Sequence, residues 1–88
     1  MISKYELTFL LKEETELPKI KQLIESFSGK ILSEERWGEI TLSYPIKKNR
    51  TVIFFNWQIE LDKKNVLEFR KKLNFEEKVL RYLLLIKN

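Results

Sequence analysis

The sequence predicts a small α+β domain whose elements follow the order β-α-β-β-α-β. Its 88 residues suit a single domain, spanning residues 1–88, with one modest core. In most of the segments that we assign to strands, apolar residues recur at every second position, which is the period of a strand with one buried face. Two further segments repeat apolar residues at intervals of three and four, as amphipathic helices do.

The first strand and the first helix are predicted from their apolar periodicity. Alternation runs from Lys4 to Leu11, so we assign these residues to a strand. The helix is expected from about Pro18 to Ser28, because proline fits a first helical turn, where its missing N–H is no loss. Gly29 follows at the position where a left-handed C-cap would be needed.

A long hairpin is predicted at the centre of the chain. Its first arm extends from Lys30 to Ile46, with a bulge at Gly38, and its second from about Thr51 to Leu61. The turn between them, Lys47-Lys48-Asn49-Arg50, is short and strongly basic. Because Pro45 cannot donate to a ladder, we expect the first arm to lie at a sheet edge.

The last two elements, a helix and a strand, give the second half of the chain the same β-α-β order as the first half. Asp62 is a good N-cap for a helix over Lys63 to Leu73, and the apolar run from Val79 to Ile86 suits a strand. Two β-α-β units joined by the hairpin make a ferredoxin-like fold, a four-stranded antiparallel sheet with both helices on one face. In this arrangement the first and third strands are central.

The face of the sheet without helices is predicted to be partly apolar. The helices should cover one side of the sheet, which bears Tyr5, Phe9, Ile40, Tyr44, Phe55 and Trp57. Four apolar residues are expected on the open side: Leu10, Trp37, Val52 and Phe54. Single exposed apolar residues are ordinary. A larger apolar patch usually marks an interaction surface, so we interpret these four residues as a protein-docking site.

Charge and composition favour an anionic partner and argue against several other functions. Residues 1–46 carry 6 basic and 8 acidic side chains, whereas residues 47–88 carry 11 and 5. A basic half favours nucleic acid, although a lysine-rich surface can also serve solubility alone. Cysteine and histidine are absent, so we expect no disulfide, no metal site and no cofactor. No apolar run approaches the roughly 20 residues that span a bilayer, and the start lacks a signal-peptide core, so a cytoplasmic location is expected.

An enzyme is not predicted. The only carboxylate deep inside an apolar strand is Glu60, whose parity places it on the open face. The two glycines, Gly29 and Gly38, cannot form a glycine-rich phosphate loop. RNA recognition motifs share the topology, but they use a Lys/Arg-Gly-aromatic pattern on the third strand, and this strand contains no glycine.

Several segments of the chain agree in order and spacing with one known family. They are Tyr5-Glu6, Trp37-Gly38, Leu42-Ser43-Tyr44-Pro45-Ile46-Lys47, Gln58-Ile59-Glu60-Leu61, Phe75 and Val79-Leu80-Arg81. Over essentially its full length the chain thus resembles the family of the sixth protein of the bacterial small ribosomal subunit. The resemblance implies a non-catalytic, cytoplasmic protein of the ribosome. It also implies binding to the central domain of small-subunit ribosomal RNA together with the eighteenth protein of that subunit.

The resemblance implies RNA contacts from side chains at the strand ends and the turn. The candidates are Lys4, Lys47, Lys48, Arg50, Arg81 and, more weakly, Tyr82. The family usually has basic residues directly after the glycine, where this chain has Glu39-Ile40-Thr41, so we expect Ile40 to join the core instead. Relatives often carry a longer acidic tail, whose contacts we expect to be missing. The alternative function is a protein-interaction or small-ligand regulatory domain on the same fold.

Overall fold

A computed structural model describes residues 2–87, which form a four-stranded antiparallel sheet and two helices. The elements are β1 (Ile2–Leu11), α1 (Leu17–Ser26), β2 (Lys30–Ile46), β3 (Asn49–Asp62), α2 (Val66–Phe75) and β4 (Val79–Lys87). A short 3₁₀ turn precedes each helix, at Glu14–Glu16 and at Lys63–Asn65. The strand order is β2-β3-β1-β4, so the predicted topology, with β1 and β3 central, is confirmed.

The main core lies between the sheet and the helices. Aromatic side chains of the central strands form its middle, where the Phe9 ring stacks on Phe55 and meets Trp57 edge-on, with centroids 5.3 and 5.0 Å apart. The helices add the buried residues Ile20, Ile24, Phe69 and Leu73. Because this core uses only one side of the sheet, the other side is covered in part by the chain's own hairpin and is otherwise exposed to solvent.

The C-terminal end of α1 differs from the prediction. Ser28, not Gly29, adopts the left-handed conformation, with φ +58°. Gly29 is instead required by close packing, since a Cβ there would lie 2.6 Å from Leu61 Cδ2 and 2.9 Å from Ile24 Cγ2. The helix also begins at Leu17 and ends at Ser26, with Pro18 in its first turn. The glycine therefore lets the helix end approach β3.

A bulge at Gly38 reverses the two faces of β2. Arg36 lies opposite Phe55, but Gly38, with φ +112°, lies opposite Phe54, the next residue along β3. The predicted bulge is therefore confirmed. Before it, the side chains of Glu34 and Arg36 form ion pairs with Lys21 (3.1 Å) and Glu14, on the helix side.

The residues beyond the bulge do not join the main core as predicted. Ile40 lies opposite Val52 on the open side and is 39% exposed, and Tyr44 is 84% exposed. The prediction that both residues face the helices was wrong. The extra residue of the bulge shifts the alternation by one position, and this sends the rest of the strand to the opposite face.

Candidate nucleic-acid interface

The hairpin of β2 and β3 extends past the end of β1 and closes in a two-residue turn. The last β1–β3 pair is Leu11 with Ile53, whereas the hairpin continues to the pair of Ile46 with Asn49. Lys47 and Lys48 form the turn with φ values of +48° and +68°, and Asn49 Nδ2 donates to the Lys47 carbonyl at 3.0 Å. Two consecutive left-handed residues characterise a type I′ turn, in which Asn-Gly is the preferred pair. The turn thus holds lysines where the backbone favours other residues.

The end of the hairpin folds across β1 on the open side of the sheet. Val52 is completely buried there in a small cluster with Leu10 of β1 and Leu80 of β4. Leu42, Ile46 and Phe54 pack around these three residues, and we call the six together the tip cluster. β4 is not a neighbour of β3 in the sheet. Contact with Leu80 therefore brings the turn to the start of β4.

The position of the hairpin over β1 creates an open cleft with basic walls. The cleft has a volume of about 600 Å³, and we call it the basic cleft. Its lining residues are Lys12, Lys47, Lys48, Asn49, Glu77, Lys78 and Leu80. A smaller cleft of about 260 Å³ adjoins it, and Lys47 lines both, together with Arg81 and Tyr82 in the smaller one. Two of the predicted RNA-binding segments, the turn and the start of β4, therefore meet.

The cations at this end of the sheet lack ion-pair partners within residues 2–87. They are Lys12, Lys47, Lys48, Arg50, Lys78 and Arg81, all of them exposed. Elsewhere some lysines are paired, such as Lys21 with Glu34 at 3.1 Å and Lys87 with Glu6 at 2.8 Å, whereas scattered lysines such as Lys30 and Lys72 form no ion pair with a described residue. Glu77, the one carboxylate among the lining residues of the basic cleft, forms no ion pair with a described residue. Positive charge is thus concentrated without internal compensation.

Two other predicted RNA-binding residues have different surroundings. Lys4 lies opposite Glu60 and Lys87, at the far end of β1 from the basic cleft. Tyr82 faces the helices, where its hydroxyl donates to Asn74 Oδ1 at 2.9 Å. The structure therefore does not bring Lys4 to the turn, and it anchors the Tyr82 hydroxyl against α2.

Sequence reasoning missed Lys12 and Lys78. Neither stands in the turn or in a motif, and they are 66 positions apart in the chain. The structure places both at the basic cleft, because Leu11 pairs with Val79 at the beginning of β4. The one available signal was that each lysine adjoins the end of a predicted strand, and that these two strand ends lie at the same end of the predicted sheet.

The predicted protein-docking residues differ in exposure: Trp37 is exposed, Phe54 is half-buried, and Leu10 and Val52 are buried. Trp37 is 57% exposed and stacks on Phe54, with ring centroids 5.3 Å apart and planes at 15°. Leu10 and Val52 belong to the tip cluster, so the expectation that their side chains are available on the open surface was wrong. The hairpin itself covers them. The exposed apolar residues of β4 on this side are Leu83 and Leu85, which lie opposite Thr8 and Glu6.

A hydrogen-bonded group of polar side chains fills the middle of the open side. Asn56, only 3% exposed, donates through Nδ2 to Glu6 Oε1 at 3.1 Å and to Thr8 Oγ1 at 2.9 Å. The hydrogen bond from Lys87, followed by that from Asn56, lowers the pKa of Glu6 from its ordinary value. Glu60 lies opposite Lys4 on the same side, as predicted. These groups make a satisfied network and not a reactive site.

The described residues provide little support for a metal centre or a membrane span. Within residues 2–87 no cluster of three or more acidic, histidine or cysteine side chains could hold a metal ion. Neither helix in that range has the length and the apolar character needed to cross a bilayer.

Comparisons with known proteins agree on one family. The family model of ribosomal protein S6 matches residues 4–86. A small ribosomal subunit protein bS6 from Pelagibacter ubique is 33% identical over 90% of this chain and 71% of its own length. One from Bdellovibrio bacteriovorus is 38% identical over 83% of this chain, which spans only about half (49%) of that relative.

Solved structures agree on the fold. The crystal structure of 30S ribosomal protein S6 from Thermotoga maritima superposes with a TM-score of 0.82 at 21% identity, covering 99% of this chain and 89% of that one. At this identity the likeness shows the ferredoxin-like fold alone. The family assignment depends on the sequence match, which extends from β1 to β4. The chain belongs to the ribosomal protein S6 family of the small ribosomal subunit, and its place is therefore in the ribosome.

Proposed function

We propose that this protein is a structural, non-catalytic component of the small subunit that binds the central domain of its ribosomal RNA. It does so together with the eighteenth protein of the subunit, and it needs no cofactor or small-molecule substrate. The observation that carries the proposal is the group of exposed, unpaired cations around the hairpin turn and the start of β4. Family membership supports the ribosomal setting.

Uncompensated lysine and arginine side chains suit a phosphate backbone. Each cation that neutralises a phosphate releases condensed counterions, so affinity increases and becomes strongly dependent on salt. Contacts of this kind fix the position of a protein on RNA without reading its sequence. Lys47, Lys48, Arg50 and Arg81 supply the phosphate contacts in this proposal, while Lys4 makes a separate contact at the far end of β1.

The exposed apolar residues of the open side suit the partner protein. Trp37, supported by the half-buried Phe54, presents a flat ring on one side of this face, and Leu83 and Leu85 lie on β4, the opposite edge strand. Aromatic side chains are enriched where protein interfaces are energetically strongest. The Glu6–Asn56–Lys87 network between them offers polar groups that can fix the orientation of the partner.

Binding to a central-domain RNA fragment, measured with and without the eighteenth protein, tests the proposal. We expect the two proteins together to bind more tightly than this protein alone at moderate salt. We also expect the triple variant Lys47→Gln, Lys48→Gln, Arg50→Gln to bind more weakly and with a flatter salt dependence. A matched control removes three other exposed lysines, Lys63→Gln, Lys64→Gln and Lys72→Gln. Equal losses in both variants, or no advantage of the pair, would overturn the proposal.

A further inference from the structure

We infer that the basic cleft is the channel through which one RNA strand passes, with Lys12 and Lys78 as phosphate-binding residues on the wall opposite the turn. The inference depends on the proposed function and adds two residues that neither sequence reasoning nor family membership assigns. It also predicts a two-sided contact, in which the strand is held between the hairpin and the end of β1.

The arrangement of the two lysines points to an external anion. Lys12 directly follows β1 and Lys78 directly precedes β4, next to the terminal pair of Leu11 with Val79, and both line the basic cleft. Two ammonium groups that line the same cleft repel each other. Neither lysine pairs with Glu77 or with any other carboxylate of residues 2–87. An anion between the lysines would relieve the repulsion.

The opposite wall of the cleft carries the same charge. Lys47 and Lys48 stand there in a turn that the tip cluster holds against Leu80, so the two walls are joined through buried apolar contacts. Four ammonium groups from three separate chain segments thus face one open space of about 600 Å³. A single phosphate would need fewer cations. A run of successive phosphodiesters uses all four.

The chemistry of the lining favours a nucleic-acid backbone over a base-reading site. Leu80 is the one apolar side chain among the lining residues, and no aromatic ring is present there on which a base could stack. Lysine acts as a compact point charge with freely rotating donors, which suits phosphates in varied orientations. The cleft therefore holds the backbone without sequence preference, and the bases point away from it.

The test compares Lys12→Gln/Lys78→Gln with Lys63→Gln/Lys64→Gln, a pair of exposed lysines at the opposite end of the sheet. Both double variants lose the same net charge, so they separate a local contact from a general field effect. Binding to the central-domain RNA fragment is measured between about 50 and 200 mM salt. We expect the cleft variant to reduce the slope of log K against log salt by about 0.7–0.9 for each lost contact. The control should retain the wild-type slope. Melting curves confirm that both variants are folded.

The outcomes distinguish this inference from the proposed function. If the wild-type protein binds no RNA, with or without its partner, both are overturned. If the Lys47→Gln/Lys48→Gln variant weakens binding and the Lys12→Gln/Lys78→Gln variant behaves like the control, the proposed function stands and the two-sided cleft is wrong. If the cleft variant binds RNA normally but loses affinity for the eighteenth protein, the cleft holds an acidic protein segment, and the inference is again overturned.

Discussion

Trp37 lies flat on Phe54, and the bulge at Gly38 makes this stack possible. The extra residue of the bulge places the Trp37 side chain above the neighbouring strand, on the side without helices. One ring of the stack is thus anchored in the tip cluster through Phe54, while the other remains largely exposed. The exposed Trp37 ring is therefore held in place by Phe54 and by the tip cluster beneath it.

Replacing the exposed ring should affect partner binding more than stability. We expect Trp37→Ala to weaken binding to the eighteenth protein at least tenfold, while the free energy of unfolding falls by only about 0.5–1.5 kcal/mol, the usual value of an aromatic pair. Calorimetric titration and thermal unfolding measure the two effects. Phe75→Ala removes an exposed ring from the helix side and should leave partner affinity unchanged. Equal losses in both variants would contradict a docking role for Trp37.

The tip cluster should be needed both for stability and for the position of the basic turn. Val52→Ala leaves a cavity beneath the hairpin, so we expect the free energy of unfolding to fall by about 1–3 kcal/mol. RNA affinity should also fall, although no charge is removed. Ile40→Ala, opposite Val52 but partly exposed, serves as the control and should change both quantities much less. Unchanged RNA affinity in the Val52→Ala variant would show that the turn binds RNA without being held at β4.

Because both turn lysines have a left-handed backbone, replacing them should change stability and RNA binding in opposite directions. Lysine at positive φ is strained by about 1–2 kcal/mol for each residue. We therefore expect Lys47→Asn/Lys48→Gly to raise the unfolding free energy, because Asn-Gly suits this turn. The same variant should bind RNA more weakly, since two cations are lost. Arg50→Gln separates the two effects: it removes a charge outside the turn and should weaken binding without adding stability. A double variant that is less stable than the wild type would contradict the strained geometry.

The Glu6 network should make stability depend on pH in the acidic range. The pKa of Glu6 is lowered in the folded protein, chiefly by the hydrogen bond from Lys87. Its carboxylate therefore adds stability above the ordinary value of 4.5, and this contribution is lost as pH falls through the folded pKa. We expect Glu6→Gln to be less stable than the wild type at pH 7, with the difference vanishing at lower pH.

Thermal unfolding of both proteins between pH 7 and pH 3 measures this prediction. Glu25→Gln is the matched control, since the Glu25 side chain forms no ion pair within the described residues. The control should follow the wild type across the whole range. A stability difference between Glu6→Gln and wild type that persists unchanged at pH 3 would show that hydrogen-bond geometry, and not charge, is responsible.

Sequence periodicity predicted the order of the elements and the strand order of the sheet. The apolar stripe of the first helix and the alternation of β1 and β3 are local patterns. Such patterns predict the correct element when one face of that element is buried. The faces of β2 could not be predicted in the same way. Gly38 marked the bulge, but whether the bulge shifts the alternation depends on how β3 pairs with both sides of it. Ile40 and Tyr44 were consequently assigned to the wrong face.

The candidate site was only half predictable. Lys47 and Lys48 are adjacent in sequence, so the sequence pointed to the wall of the cleft that they form, whereas Arg50, predicted with them, is not among the lining residues. Lys12 and Lys78 were missed because their proximity results from the β1–β4 register, which no single-sequence pattern specifies. Val52 was assigned to the correct side of the sheet, yet its burial depends on the hairpin folding back over Leu10, a tertiary event that alternation does not encode.

The crossing of the hairpin over β1 has a consequence for when binding becomes possible. The walls of the basic cleft come from chain segments that begin near residues 12, 47 and 78, and they meet only after β4 has paired with β1 and the hairpin has closed over Leu80. A nascent or partly folded chain carries the same lysines, but they are dispersed along a flexible polymer. In the proposed function, RNA binding is then thermodynamically linked to completion of the fold: RNA would bind only folded molecules and, by mass action, stabilise them. Under this proposal, only chains that have completed their fold would be incorporated into the subunit.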